Sequence, residues 1–224
     1  MGTSNKSKKD VECHASEVSL QLSMSVVEGQ SILADLLLSG TSTPKTLTVA
    51  SSPLFGPVVD GVTKVDLCSA EEVNKALDTA LKAADVHVRS NSLECTSSTL
   101  IVANAIVKIV QGDDVFVASL FASVAQHMHP YLAVIDKEAT APRLLFSHAF
   151  GGPCSTLVMA VVEKTVHQDI TVETLNGQRI IAHIRTSGTR SGSVKDFVKY
   201  AKVSLTKANE SAAKTTNSKE KAHM

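Results

Sequence analysis

Residues 17–26 read Glu17-Val18-Ser19-Leu20-Gln21-Leu22-Ser23-Met24-Ser25-Val26, apolar and polar in strict alternation. Side chains of a β-strand point to opposite faces with a period of two, so this stretch predicts a half-buried strand at the start of a folded region. Outward from it, residues 31–38 carry a short apolar run read as a helical turn. Residues 46–50 and 57–67 read as short strands around a loop at Ser51–Gly56. Ser69 and Glu72 then form an S-x-x-E capping box, in which each residue satisfies a backbone donor at a helix start. Val73, Ala76, Leu77, Ala80, Leu81 and Ala84 follow at helical spacing on one face, so a helix is predicted over 69–84.

Residues 99–110 and 115–121 predict a β-hairpin turning at Gln111–Asp114. Their apolar runs lack clean alternation, as expected of strands buried on both faces. A helix is predicted over 138–150 and another buried strand over 155–163, STLVMAVVE. Asn176–Gly177 is a strong turn signal, and a second hairpin is predicted from 168–174 and 178–185. A last helix begins near Ser193, with Val194, Phe197, Val198, Ala201 and Leu205 on one face. The fold class expected is α/β: one central sheet flanked by helices, plus the extra hairpin near 168–185. It occupies 13–206, between a polar, disordered arm over 1–12 and a disordered tail over 207–224 carrying Lys207, Lys214, Lys219 and Lys221.

Composition narrows the function classes. Basic and acidic residues balance at 22 each, so no net field draws the chain to nucleic acid or an anionic membrane. The first twelve residues lack the apolar core of a secretory signal, and no apolar run is long enough to span a bilayer. A cytoplasmic setting with reduced thiols is therefore expected. Cys13, Cys68, Cys95 and Cys154 form no C-x-x-C pair, which argues against a zinc or redox motif.

Three stretches carry residue types that could support chemistry. Gly40-Thr41-Ser42-Thr43-Pro44-Lys45-Thr46 has the Lys-Thr of a phosphate loop but no glycine before the lysine. Pro44 also removes an N–H where a phosphate would need one, so the stretch reads as a polar turn. His127 and His129 with His148 and Cys154 offer metal-ligand types, but no carboxylate nearby completes a set. Gly151-Gly152-Pro153-Cys154-Ser155-Thr156 places a thiol in a glycine-rich turn downstream of His148. A turn leading into a strand explains it better than a Cys–His nucleophile.

Taken in order, these pieces resemble the C-terminal half of a kinesin motor domain over residues 17–206. Glu17–Val27 followed by Asp35-Leu36-Leu37 is similar to the family's strand and D-L-L segment. Gly56-Pro57-Val58-Val59-Asp60-Gly61-Val62-Thr63-Lys64-Val65 resembles G-V-x-V-x-G-L-T-x-V, and Ser69-Ala70-Glu71-Glu72-Val73 resembles S-x-E-E-V. Phe150-Gly151-Gly152-Pro153-Cys154-Ser155-Thr156 is similar to L-G-G-N-x-K-T. Val194–Leu205, with Phe197 and Tyr200-Ala201-Lys202, is similar to the closing helix, and His129-Pro130-Tyr131 to an H-x-P-Y segment.

The departures carry the functional expectation. The family's N-terminal half with its phosphate loop has no counterpart. The first switch pattern, N-x-x-S-S-R-S-H, falls on Asn91–Ser98, where Glu94 and Cys95 replace the first two serines, Thr96 the Arg and Ser98 the His, and Ser97 alone keeps a serine of the signature. The second, D-L-A-G-S-E, falls on Ser119–Val124: Ser119 stands for the metal-associated Asp, Ala122 for the γ-phosphate-sensing Gly and Val124 for the Glu. Phosphoryl transfer depends on charge positioned around phosphate and Mg²⁺. The resemblance therefore implies no catalytic residues, no cofactor and no metal. The helix that makes the family's main microtubule contact has no room between Val124 and His129. What remains is an expected non-enzymatic, kinesin-like structural protein. Its partners would be tubulin, microtubule-associated proteins or another kinesin-like chain, and its setting the cytoskeleton, with the axoneme as one candidate. An adaptor subunit pairing with an active kinesin and an unrelated enzyme are the alternatives.

Overall fold

The computed structural model describes residues 17–38, 47–90, 99–162, 168–189 and 192–222, with the backbone alone described over 87–90 and 213–222. The predicted first strand is β1, Glu17–Glu28. It is the centre of an antiparallel sheet. On one side it pairs along its whole length with β6, Thr99–Gln111, which pairs in turn with β7, Asp114–Val124. On its other side β1 pairs with β2, Ser31–Asp35, near its end and with β5, Val65–Leu67, near its start. A separate ribbon joins β3, Thr48–Ser52, to β4, Gly56–Asp60. All strand pairs among the described residues are antiparallel.

The sheet is covered on both faces where β1 ends. Leu22, Met24 and Val26 pack with Leu36, Leu67 and with Ala80 and Ala84 of α1, Ala70–Ser90. On the opposite face Val27, Leu100 and Val102 meet Val59, Val62, Ala133, Val134, Ala141, Leu145 and Phe146. Toward the end of β1 the serines are thus not a wet face: Ser25 is 1% exposed, and the Ser23 hydroxyl donates to the Asn104 carbonyl at 3.4 Å, while Ser19 near the start is exposed. The capping box at α1 forms, with one shift. Ser69 Oγ accepts from the Glu72 N–H at 3.2 Å, while the Glu72 carboxylate accepts at 2.7 Å from the N–H of Cys68, one residue earlier than expected.

Several expectations are corrected. Residues 31–35 are strand, not helix, because Gly29 takes φ 56° and turns the chain straight back onto β1. The stretch 138–150 is a chain of turns. Arg143 N–H bonds Ala141 O and Leu145 N–H bonds Pro142 O, so no helical ladder forms around Pro142. A helix appears earlier instead: α2, His129–Ile135, with Pro130 in its first turn, where a missing N–H costs nothing. The predicted hairpin over 168–185 is one helix, α3, Gln168–Ala182. Gly177 is buried on its inner face, where a Cβ would lie 3.0 Å from Cβ, Cγ and Cε of Met128. Close packing against Met128, rather than a turn, is the setting of the glycine. Residues 155–162 form neither helix nor strand, and Leu157, Met159 and Val161 are exposed, so the buried strand expected there is not formed.

The last helix is α4, Val194–Ala222. It starts as predicted, with Ser193 Oγ accepting from the Asp196 N–H at 3.2 Å. It then runs on through the stretch expected to be a disordered tail. That stretch lacks Gly and Pro and is rich in Ala, Lys and Glu, which are good helix formers. The arm expected over 1–12 lies outside the described residues.

Candidate functional site

The sequence directs attention to the end of β7. Its ladder with β6 is regular throughout, pairing Ser119 with Ile106, Ala122 with Ala103 and Val124 with Ile101. Alternation along a strand puts Ser119 on one face of the sheet and Ala122 and Val124 on the other. The Ser119 hydroxyl donates to the Phe55 carbonyl at 3.0 Å, tying β7 to the β3–β4 turn. Ala122 and Val124 lie exposed on the opposite face, Val124 at 66%. The three residues therefore do not converge on a common point. Glu94, Cys95, Thr96, Ser97 and Ser98 lie outside the described residues, as do the residues of the polar turn Gly40–Thr46.

Between Ser119 and Val124, two side chains on the Ser119 face do structural work. Phe121 packs edge-on against Phe146, with ring centroids 5.3 Å apart. The Ser123 hydroxyl donates to the Tyr131 phenol oxygen at 3.3 Å. Tyr131 also meets Phe146 edge-on at 5.7 Å, and Phe150 stacks on Phe146 at 5.3 Å. Burial pushes the Tyr131 hydroxyl above its ordinary pKa, and the Ser123 hydrogen bond pulls partly the other way. The segment that resembles H-x-P-Y is thus an anchor for the end of β7.

Beside this cluster is a hollow of about 10 Å³ lined by Ser23, Ser25, Val59, Val102, Asn104, Phe121 and Leu145. That is room for about one water, against the several hundred Å³ a nucleotide-sized ligand fills. Asn104 Nδ2 donates to the Pro57 carbonyl at 3.4 Å, while its buried Oδ1 has no protein partner.

The remaining candidates are dispersed. Among the described residues no group of three or more His, Cys, Asp or Glu side chains is placed to hold a metal, so His127, His129, His148 and Cys154 are not brought together as a ligand set. Gly151 takes φ 103°, and a Cβ on Gly152 would strike His148 Cα at 2.6 Å. The Cys154 thiol turns to its neighbour's carbonyl, Ser155 O, at 3.3 Å, and the Thr156 hydroxyl donates to Ala149 O at 2.7 Å. The glycine pair therefore serves a tight, self-bonded turn. Asp35, the acid of the D-L-L segment, is likewise a structural residue. Its two carboxylate oxygens accept from the N–H groups of Leu37, at 3.1 Å, and Thr63, at 2.6 Å. Asp35 and Thr63 lie in two separate segments of the family resemblance, and the first holds the second.

Among the described residues, no helix is long and apolar enough to cross a membrane. No protein-family model and no curated protein matches the sequence. Among solved structures, the chain is similar to a fast kinesin, with a TM-score of 0.59 and 15% sequence identity over 80% of this chain and 59% of that one. The chain thus spans under two thirds of the length of that kinesin. At this identity the likeness is one of fold: a mixed α/β architecture, with an antiparallel sheet and flanking helices, similar to the kinesin motor fold.

Proposed function

We propose that this chain is a non-enzymatic, kinesin-like structural protein of the microtubule cytoskeleton that works by binding other proteins. The observation that carries the reading is the geometry of β7. Ser119, Ala122 and Val124 supply no acid, sit on opposite faces of a regular ladder and, for Ser119, serve a structural hydrogen bond. Phosphoryl transfer needs charged groups converging on phosphate and Mg²⁺. The similar fast kinesin is described in terms of its ATPase mechanism and its interactions with microtubules. The second of these is the property proposed for this chain, through a different surface, with tubulin or a microtubule-associated protein as partner and the axoneme as one setting. Cosedimentation with polymerised tubulin, run beside an ATPase assay, tests it. Binding without turnover is expected; ATP hydrolysis above background overturns the non-enzymatic part, and no pelleting overturns the microtubule part.

A second reading is an adaptor that pairs with another kinesin-like chain. The exposed apolar residues Leu157, Met159 and Val161 favour a protein partner of some kind. Capture of one kinesin chain in the absence of tubulin would favour this reading over the first.

A further inference from the structure

A polar row crosses the sheet on the face that carries Val27, Leu100 and Val102. Ser23 and Ser25 share that face of β1 with Val27, and in the ladder Ser23 sits opposite Asn104 and Asn104 opposite Phe121. The β3–β4 ribbon is tied to this row by side chains of the sheet. The Ser119 hydroxyl donates to the Phe55 carbonyl, and the Asn104 amide donates to the Pro57 carbonyl. The hollow of about 10 Å³ lies here, with Ser23, Ser25 and Asn104 on its polar side and Val59, Phe121 and Leu145 on its apolar side. Asn104 Oδ1 is buried and has no protein partner. The amide cannot turn over to satisfy that atom, because Oδ1 would then meet the Pro57 carbonyl oxygen, acceptor against acceptor. Buried polar atoms in native proteins nearly always bond to protein or to water.

We propose that this hollow is a binding site for one ordered water, which donates to Asn104 Oδ1 and to Ser23 Oγ and accepts from the Ser25 hydroxyl. Size selects the ligand first. A single water needs about 10–15 Å³ of such space, and nothing larger fits. Charge selects it second. No charged side chain lines the hollow, so neither a cation nor an anion finds a counter-charge. Hydrogen bonding selects it third, because the polar side offers both acceptors and a donor. The Ser23 hydroxyl already donates to the Asn104 carbonyl, at 3.4 Å, so its oxygen is left to accept. Ser25 is 1% exposed, and its hydroxyl can donate. Three polar partners are the usual complement of a buried water, about three. An apolar hollow of this size stays dry; this one is apolar on one side only. The water joins β1 to β6 and holds the Asn104 amide with Nδ2 toward Pro57, so it also helps to seat the β3–β4 ribbon on the sheet. This inference stands apart from the proposed function and fails or holds without it.

The test uses the full chain. A high-resolution crystal structure is expected to show a density peak about 2.7–3.2 Å from Asn104 Oδ1 and within the same reach of a serine hydroxyl. In solution, oxygen-17 relaxation dispersion counts long-lived internal waters and is blind to serine protons. Two variants are compared with the parent. Asn104→Leu keeps the volume and removes the acceptor. Val59→Ile keeps the amide and adds a methyl on the apolar side of the hollow. Each is expected to lose one long-lived water. Val59→Ile is also expected to shift the folding equilibrium toward the unfolded chain at least about fivefold, because Oδ1 is then buried without a partner. Should Asn104→Leu not fold, Val59→Ile carries the comparison alone. A parent map with no peak in reach of Oδ1, an Asn104 whose Oδ1 is bonded to the protein, or a water count unchanged in the variants would each overturn the proposal. So would a Val59→Ile variant more stable than the parent, the behaviour of a dry void that a methyl fills.

Discussion

The Ser123 hydroxyl donates to the Tyr131 phenol oxygen at 3.3 Å, joining the end of β7 to the first turn of α2. Burial raises the Tyr131 pKa above its usual 10.0. The sign follows from linkage. Below the unfolded pKa the phenol is neutral in both states, and its contribution is complete. Above it the unfolded chain ionises first, so stability falls as pH rises through the folded pKa. Tyr131→Phe removes this alkaline loss, and at neutral pH it costs about 0.5–1.5 kcal/mol for the hydrogen bond. Urea midpoints of parent and variant, compared near neutrality and above the ordinary phenol pKa, are expected to converge as pH rises. A constant difference would count against the assignment.

Gly177 distinguishes the helix α3 from the hairpin suggested by Asn176–Gly177. In a two-residue hairpin turn the glycine needs φ above zero, and alanine there is strained. In a helix alanine gains about 1 kcal/mol of propensity over glycine. Here that gain is set against a Cβ 3.0 Å from Cβ, Cγ and Cε of Met128, of which Cε can swing away while Cβ yields only with the backbone. Gly177→Ala is therefore expected to lie within about 1 kcal/mol of the parent, and Gly177→Leu, which overpacks the contact, to lose about 1–3 kcal/mol. Denaturant melts of the two variants check the ordering. Strong destabilisation by alanine would favour a turn.

That glycine also marks where local reading stops working. The β6–β7 hairpin, the strand β1 and the start of α1 were legible because each carries its own signal: a turn between two apolar runs, strict alternation, and a capping pair at Ser69 and Glu72. The segments 155–162 and 168–182 were misread because their neighbours decide them. The apolar run at 155–162 reads as a core strand only if strands lie beside it, and Asn176–Gly177 reads as a turn only if nothing packs on the glycine. Part of the site was within reach. Once 114–124 is taken as a strand, alternation alone separates Ser119 from Ala122 and Val124. The Asp35–Thr63 and Ser123–Tyr131 hydrogen bonds join residues of different elements, and no local pattern announces them.

The cap of α1 offers a sequence-level feature that the structure modifies. Ser69 Oγ and the Glu72 carboxylate each satisfy a backbone donor, but the glutamate serves Cys68 rather than Ser69. Ser69→Ala is expected to cost about 0.5–2 kcal/mol, the usual range for loss of an N-cap. Glu72→Gln keeps an acceptor but loses the charge near the helix N-terminus, for about 0.3–1 kcal/mol. Thermal melts of both variants, with the smaller loss for Glu72→Gln shrinking in high salt, check the two contributions.

Phe146 is the centre on which the sheet and the turn-rich stretch 138–150 meet. It is 2% exposed and touches Phe121, Tyr131 and Phe150 in two edge-on contacts and one stack. Phe146→Ala removes all three and leaves a cavity that rigid neighbours on β7 and α2 fill poorly, an expected loss of about 3–5 kcal/mol. Phe146→Leu keeps most of the volume but forfeits the ring geometry, so a smaller loss, about 1–2 kcal/mol, is expected. Since the rings of Tyr131 and Phe146 touch, Tyr131→Leu, which removes the ring that Tyr131→Phe would keep, and Phe146→Leu should not add. A double-mutant cycle measured by urea unfolding is expected to return a coupling of about 0.5–1.5 kcal/mol. A value near zero would mean that Ser123 and Tyr131 are held by β7 and α2 alone, and that the aromatic cluster plays no part in fixing the end of the strand.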